Sequence, residues 1–443
     1  MELLLANPRG FCAGVERAIG TVETLLELRG APVHVRHEIV HNRRVVQRLE
    51  ARGAIFVDRT EDIPEAALTV LSAHGVPPSV IEAAAKRRLE IVDATCPLVV
   101  KVHLEVARQA RAGRSVVVIG HRGHVEVEGL IGHIPEGSSG TVTVIEHERE
   151  IAAFDPPDPG AVAWVTQTTL AVNDAARIVG KLRERFPQLA DPHGDTICYA
   201  TQNRQTAVRK IAGNCDLVLV VGASHSSNSN RLVEVARECG TTSLLIESAD
   251  DLRPEMFAGV SRIGLTASAS APEDLVEAVI GWLRVHDPAL RVTAVGRPET
   301  VHFNLPHAVR NLAKETIEMT ENDAKGAEAI SVSRKRGGTD GVSDALDAAA
   351  DLATWLRETV EDVADFASDQ VDRVTRTAEE LRDRNLDAKA LEAARRRPAV
   401  ARVRKSTHTV LDLGIDVAAV AINIGIDGVD LLLRRRPDTV AHA

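Results

Sequence analysis

Aromatic residues are scarce. Phe, Trp and Tyr make up 2% of 443 residues, and there is a single tyrosine. Surfaces that stack nucleobases rely on aromatic platforms, so the shortage argues against that kind of nucleic-acid binder. Positive charge is not in excess either. A formal net charge of -10 leaves no bulk basic field to draw in polyanions. Nowhere is there a clean apolar run of roughly 20 residues, the length a membrane span needs. The apolar start at residues 2–6 is cut off by Pro8, Arg9 and Gly10, so no secretory signal is expected and the protein is placed in the cytoplasm. The five cysteines are an odd number and none stand as Cys-x-x-Cys. A secreted disulfide framework is therefore not expected.

The chain does hold enough apolar residues, 44%, to build a sizeable core, and its length suggests two to four compact units. Short β-branched apolar runs recur at 33–36, 69–72, 115–120, 162–165, 216–222 and 262–266. Amphipathic stretches follow such runs at 80–88, 172–185, 231–239 and 272–285. Alternation of this kind predicts an α/β fold with parallel sheets. Ligands in such folds bind outside the carboxyl ends of the strands. The loops in that position hold His41, His74, the segment 121–126, Thr168, the segment 224–230 and Ser270.

Cys12, Cys96 and Cys198 share one context. Each ends an extended segment (2–6 with its turn, 90–95, 195–197) and precedes a helical stretch (14–28, 98–112, 201–210). The positive end of a helix and its free N–H groups favour a thiolate there. Their separations of 84 and 102 residues are domain-sized, so three similar units can each bring one thiolate to a shared centre. Three thiolates suit a soft metal site. Zinc would need a fourth ligand, and a 4Fe-4S cluster held by three cysteines would leave one iron open. Spacing alone also allows three buried thiols that only pack. Cys215 and Cys239 read as packing residues.

The segment 222–228 joins a strand to a helix. It places Ser226, Ser227 and Asn228 near free N–H groups, an anion site or simply an N-cap. Ser270 and Pro272 repeat the arrangement. Glu126, two residues from His124, can be a general acid or merely a carboxylate opening a helix.

Taken together the motifs PRGFCAGV (8–15), HEIVHN (37–42), SAHGV (72–76), DATCP (93–97), GHRGHVE (120–126), TQTTL (166–170), ICYATQNRQ (197–205), SSNS (226–229), TASASAP (266–272) and VHFNLP (301–306) resemble the 4-hydroxy-3-methylbut-2-enyl diphosphate reductase family, also called IspH or LytB. The resemblance covers roughly the first 310 residues. It implies a trefoil of three pseudo-equivalent α/β units around a central iron–sulfur cluster. The units expected are 1–96 with a tail, 286–312, folding back, then 97–195 and 196–285. It implies one 4Fe-4S cluster on Cys12, Cys96 and Cys198 with one open iron. Diphosphate binding falls to His41, His74, His124, Ser226, Ser227, Asn228 and Ser270, proton delivery to Glu126, and the alcohol end of the substrate to Thr168. The implied reaction is reductive dehydroxylation, with a ferredoxin or flavodoxin as electron donor. Those carriers are acidic, so a local basic patch is expected. Two alternatives are a zinc enzyme acting on a phosphate substrate and an iron–sulfur sensor without turnover.

Beyond that, residues 313–340 read as a linker and 341–443 as a helical extension. Leu346, Ala349, Ala353, Leu356, Val360 and Val363 follow steps of three and four, a heptad-like seam. Leu411, Ile415, Ala418, Ile422 and Ile426 form a second stripe, with Asp412, Asp416 and Asp427 beside it. Self-association is one use of these faces. Membrane contact through Arg434, Arg435 and Arg436 is disfavoured by the aspartates. Since the binding motifs end before this region, a chain truncated after Glu321 is expected to fold, hold its iron and turn over substrate near the full-length rate. Steady-state assays of a soluble, iron-loaded truncation check this, and an inactive one would assign the extension to the active site or electron path.

Overall fold

The computed structural model describes residues 1–135, 137–314 and 316, so the expected extension at 341–443 and nearly all of the linker lie outside it. Twelve strands and nine α-helices alternate through residues 2–295. They form three sheets in which every pairing is parallel.

The chain opens with β1 (Glu2–Ala6) and α1 (Ala13–Arg29). A four-stranded sheet, in the order β3-β2-β4-β5, follows from β2 (Val33–Arg36), α2 (Arg43–Glu50), β3 (Ala54–Val57), β4 (Leu68–Leu71), α3 (Pro78–Lys86) and β5 (Glu90–Asp93). Next come α4 (Pro97–Arg111), β6 (Ser115–Ile119), α5 (Val125–Gly132), β7 (Val142–Ile145), β8 (Val162–Thr166) and α6 (Val172–Arg185), whose strands pair as β7-β6-β8. The last stretch is α7 (Tyr199–Ala212), β9 (Leu217–Val221), α8 (Ser227–Glu238), β10 (Thr242–Ile246), β11 (Arg262–Ala267), α9 (Glu273–His286) and β12 (Arg291–Val295). Its strands join β1 in the order β10-β9-β11-β1-β12.

The central strands β6 and β9 are almost wholly apolar, as strands covered on both faces are. All of β6, SVVVI, and all of β9, LVLVV, is buried. Separate cores fill the space between each sheet and its helices. Leu3, Leu219, Leu265, Val276 and Leu283 pack between the five-stranded sheet and α9. Val117, Ile119, Ile178 and Leu182 pack between β6 and α6.

Two expectations are corrected. The first strand does not stay with the rest of residues 1–96: β1 pairs with β11 and β12 in the third sheet, and α1 carries the chain across to the next sheet. The tail accordingly splits, β12 extending that sheet while Leu305, Val309 and Leu312 pack on the core around α1 and β2. Second, residues 195–197 form no strand. The chain before Cys198 is a loop tied to β8 by a bridge from Ala190 to Ala163 and by the Thr196 hydroxyl, which accepts the Thr166 N–H at 3.2 Å. Residues 307–314 are helical, and of the expected linker only 313, 314 and 316 are described.

Leu182 is fully buried in α6. Leu182→Ala removes its packing and leaves a cavity, so a loss of about 2–5 kcal/mol is expected in urea unfolding. A change below about 0.5 kcal/mol would mean this core is not the cooperative unit described.

Candidate active site

Parallel sheets collect their loops at the carboxyl ends of the strands, and here three sheets aim those loops at one cavity of about 110 Å³. Cys12 follows β1, His41 follows β2, His74 follows β4 and Cys96 follows β5. His124 follows β6, Thr168 follows β8, Ser226 follows β9 and Ser270 follows β11. Every site residue expected from the sequence lines this cavity: the three cysteines, His41, His74, His124, Glu126, Thr168, Ser226, Ser227, Asn228 and Ser270.

Cys12, Cys96 and Cys198 are the N-cap residues of α1, α4 and α7. Pro97 at the first position of α4 needs no N–H partner there. The Cys198 sulfur accepts from the Thr201 N–H at 3.4 Å and lies 3.2 Å from the Thr201 hydroxyl. Burial raises all three thiols, Cys96 to about 12 and Cys198 to about 11, with the neighbouring cysteines adding to the effect for Cys96. A metal must displace these protons to bind. Gly14 makes the approach of the sulfurs possible: a Cβ there would lie 2.6 Å from the Cys96 sulfur and 3.9 Å from that of Cys12.

The imidazoles crowd together. Ring centroids of His41 and His74 are 4.2 Å apart, and His124 lies 5.5 Å from His41. His74 is driven well below its usual range, and His124 to about 3, first by burial and then by the neighbouring imidazoles. His124 accepts the Glu126 N–H at Nδ1, 3.1 Å, so its neutral ring carries the proton on Nε2, a free donor. His41 directs Nδ1 at Glu38, 3.2 Å, while its buried Nε2 has no partner.

Glu126 is almost wholly buried at 2% exposure. Burial raises its carboxyl to about 7, even though the N–H and hydroxyl of Thr168 both donate to it and pull the other way. The hydroxyl bond measures 3.0 Å. Thr168 thus orients Glu126. Asn228 accepts from the Ala269 N–H at 2.9 Å and points its amide at the Thr201 hydroxyl at 3.5 Å. Ser226 caps α8, and the Ser227 hydroxyl is buried without a partner.

Sequence reasoning missed Glu38, whose carboxylate joins His41 to His225, the latter at 3.0 Å. Hydrogen bonds from these two imidazoles hold its carboxyl down to about 2. Its signal was available, since Glu38 sits inside HEIVHN three residues before His41. Thr169 and Thr201 also line the cavity. Cys239, expected to pack, is exposed, because it caps the end of α8. Cys215 does pack, beside Ile211 and Val218.

Three parallel sheets meeting at one cavity, with a thiol at the head of a helix from each of three chain segments, define a thiol-centred α/β protein. Residues 3–284 match the family model described as LytB protein, and the chain belongs to that family. It is similar to the 4-hydroxy-3-methylbut-2-enyl diphosphate reductase of Azotobacter vinelandii, 50% identical over 315 residues, 71% of this chain and 100% of the relative. The enzyme of the same name from Ectopseudomonas mendocina is 49% identical over 310 residues, 70% of this chain and 99% of its own. Among solved structures, the E-1-hydroxy-2-methyl-but-2-enyl-4-diphosphate reductase of Plasmodium falciparum matches with a TM-score of 0.67 at 37% identity, covering 72% of this chain and 99% of that one.

Gly14→Ala separates helix stability from site geometry. Alanine favours the helix by about 1 kcal/mol, yet its Cβ displaces a sulfur. A folded protein with reduced metal content, whose metal-free form melts no lower than the metal-free parent, is expected from calorimetry and metal analysis. Full metal content would show that the sulfurs do not need this space.

Proposed function

We infer that the chain reduces 4-hydroxy-3-methylbut-2-enyl diphosphate, removing its hydroxyl as water to give isopentenyl and dimethylallyl diphosphate, the last step of non-mevalonate isoprenoid synthesis. The observation that carries this reading is one cavity lined by three helix-capping thiols, a buried carboxyl whose pKa is raised to about 7 and a cluster of imidazole, hydroxyl and amide side chains.

The residues fit an iron–sulfur cluster. Tetrahedral zinc holds its sulfurs about 3.8 Å apart. Among the described residues only Glu38, His41 and His225 bring three potential ligand atoms within 4.8 Å of one another, so the three cysteine sulfurs do not all lie that close, which supports a group larger than one zinc ion. Cys12, Cys96 and Cys198 would hold it. A 4Fe-4S cluster held by them would supply electrons and a Lewis-acidic iron beside the C–O bond.

The remaining chemistry belongs to the chain. His41, His74, His124, Ser226, Ser227, Asn228 and Ser270 take the diphosphate. Two of their buried polar atoms, His41 Nε2 and Ser227 Oγ, have no partner within the protein, and buried polar groups are otherwise satisfied. Burial favours the neutral forms of His74 and His124. A diphosphate beside them supplies the opposite charge that lets them protonate. Glu126 delivers the proton and Thr168 fixes its direction. The proposed electron donor, a small ferredoxin or flavodoxin, follows from the family resemblance. A sensor without turnover has no need of the diphosphate cradle or of a proton donor. Among the described residues no helix is long and apolar enough to cross a membrane.

Glu126 acts as an acid, so turnover falls as pH rises through its pKa. The alkaline limb of kcat/KM is expected near 7. In kcat the limb lies higher, because the bound anion disfavours the carboxylate further. Glu126→Gln is expected to lower turnover by about 10²–10⁴-fold and abolish that limb, with substrate still bound. A variant that turns over at the normal rate with the limb intact would assign the proton to another group.

A further inference from the structure

Three cations stand at matching places around the cavity. Arg17 lies five residues after Cys12, Lys101 five after Cys96 and Arg204 six after Cys198. Each sits in the helix that its cysteine caps. Each reaches away from its own helix to a backbone carbonyl just ahead of a different cysteine. Arg17 Nη1 donates to the Thr95 carbonyl, next to Cys96, at 3.0 Å. Lys101 Nζ donates to the Asp195 carbonyl, before Cys198, at 3.4 Å. Arg204 donates to the Gly10 carbonyl through Nε at 3.0 Å and through Nη2 at 2.8 Å, and to the Phe11 carbonyl at 3.0 Å, next to Cys12.

The three reaches run in one sense and close on themselves. The Cys12 helix holds the Cys96 loop, the Cys96 helix holds the Cys198 loop, and the Cys198 helix holds the Cys12 loop. Two links are deeply buried, with Arg17 at 3% exposure and Arg204 at 0%. Burying a guanidinium is costly unless its donors are met. Arg204 also donates to the Ala200 carbonyl and pairs with Glu299 at 3.0 Å, and Asn203 donates to the same carboxylate at 2.8 Å. Arg17 donates a further bond to the Asn304 carbonyl at 3.0 Å. The tail that follows β12 therefore fastens both arginines from outside.

We propose that Arg17, Lys101 and Arg204 form a cyclic clasp of positioning residues that fixes the spacing of the three thiols and so holds the metal group in place. The proposal rests on the reading that these thiols ligate iron. A lysine in place of either arginine keeps the charge but loses the planar fork that reaches two acceptors at once. The Lys101 link is the longest and has a single donor, so it is the weakest of the three.

The test measures iron release from anaerobically purified, full-length holoprotein to a ferrous chelator, at one temperature below every variant's melting point. Partners that orient metal ligands are typically worth 10–100-fold in metal affinity, so Arg17→Lys and Arg204→Lys are expected to lose iron about tenfold faster or more. Lys101→Met should lie between them and the parent. Leu182→Ala is the control, destabilised away from the cavity, and should release iron at the parent rate. The clasp is overturned if the two arginine variants fold and keep iron as the parent does, or if Leu182→Ala loses iron as fast as they do. Should Arg204→Lys fail to fold, Arg17→Lys decides the matter by the same comparison. A parent that carries no iron, or a Cys96→Ser protein that keeps its full complement, would instead remove the ligand assignment on which the clasp depends.

Discussion

Bringing three sulfur atoms to one cavity requires chain segments 84 and 102 residues apart to end at the same place. A thiol at a helix N-terminus is reached by free N–H groups, so the three helices α1, α4 and α7 all start there. Parallel strands feed their loops to the same end, and two of the three cysteine loops come straight from a strand, β1 and β5. The third comes from an irregular segment behind α6. That exception shows that the helix start, rather than the strand end, is what the three sites share. The expected equivalence of the units holds at the helices and is looser before them.

One physical cause, exclusion of water, produces the chemistry of the cavity in three forms. It raises the thiols, lowers His74 and His124 and brings Glu126 to about 7. Desolvation opposes charge of either sign, so the protein's own groups around the cavity tend towards their neutral forms. A metal group and an anionic substrate then provide the charges that the protein declines to carry alone. Glu38 is the counter-example, more exposed and fastened by two imidazoles, and it stays ionised.

The legible part of the sequence was what burial on both faces writes into it. Strands β2, β4, β6, β8, β9 and β11 were marked by apolar runs. The strands not marked in that way include β3, β7, β10 and β12, all of them sheet edges. An edge strand needs apolar residues on fewer positions, as β12 shows with three of its five residues exposed. The site was legible because its residues cluster in loops at strand ends. The partition into units was less so, since pairing of β1 with β11 depends on contacts between residues 260 positions apart, such as Glu2 with Arg262. Arg17, Arg204 and Glu38 gave no signal of periodicity, because their roles lie in what they grip across the fold.

The central claim is that the three cysteines and the cavity they share make one reductase site. Anaerobic purification followed by iron and sulfide analysis, with turnover of 4-hydroxy-3-methylbut-2-enyl diphosphate driven by dithionite and a mediator, tests it most directly. The account predicts a brown protein carrying iron and sulfide in equal amounts that releases isopentenyl and dimethylallyl diphosphate. A colourless protein that binds zinc, or an iron-loaded one that leaves the diphosphate unchanged under strong reductant, would contradict it.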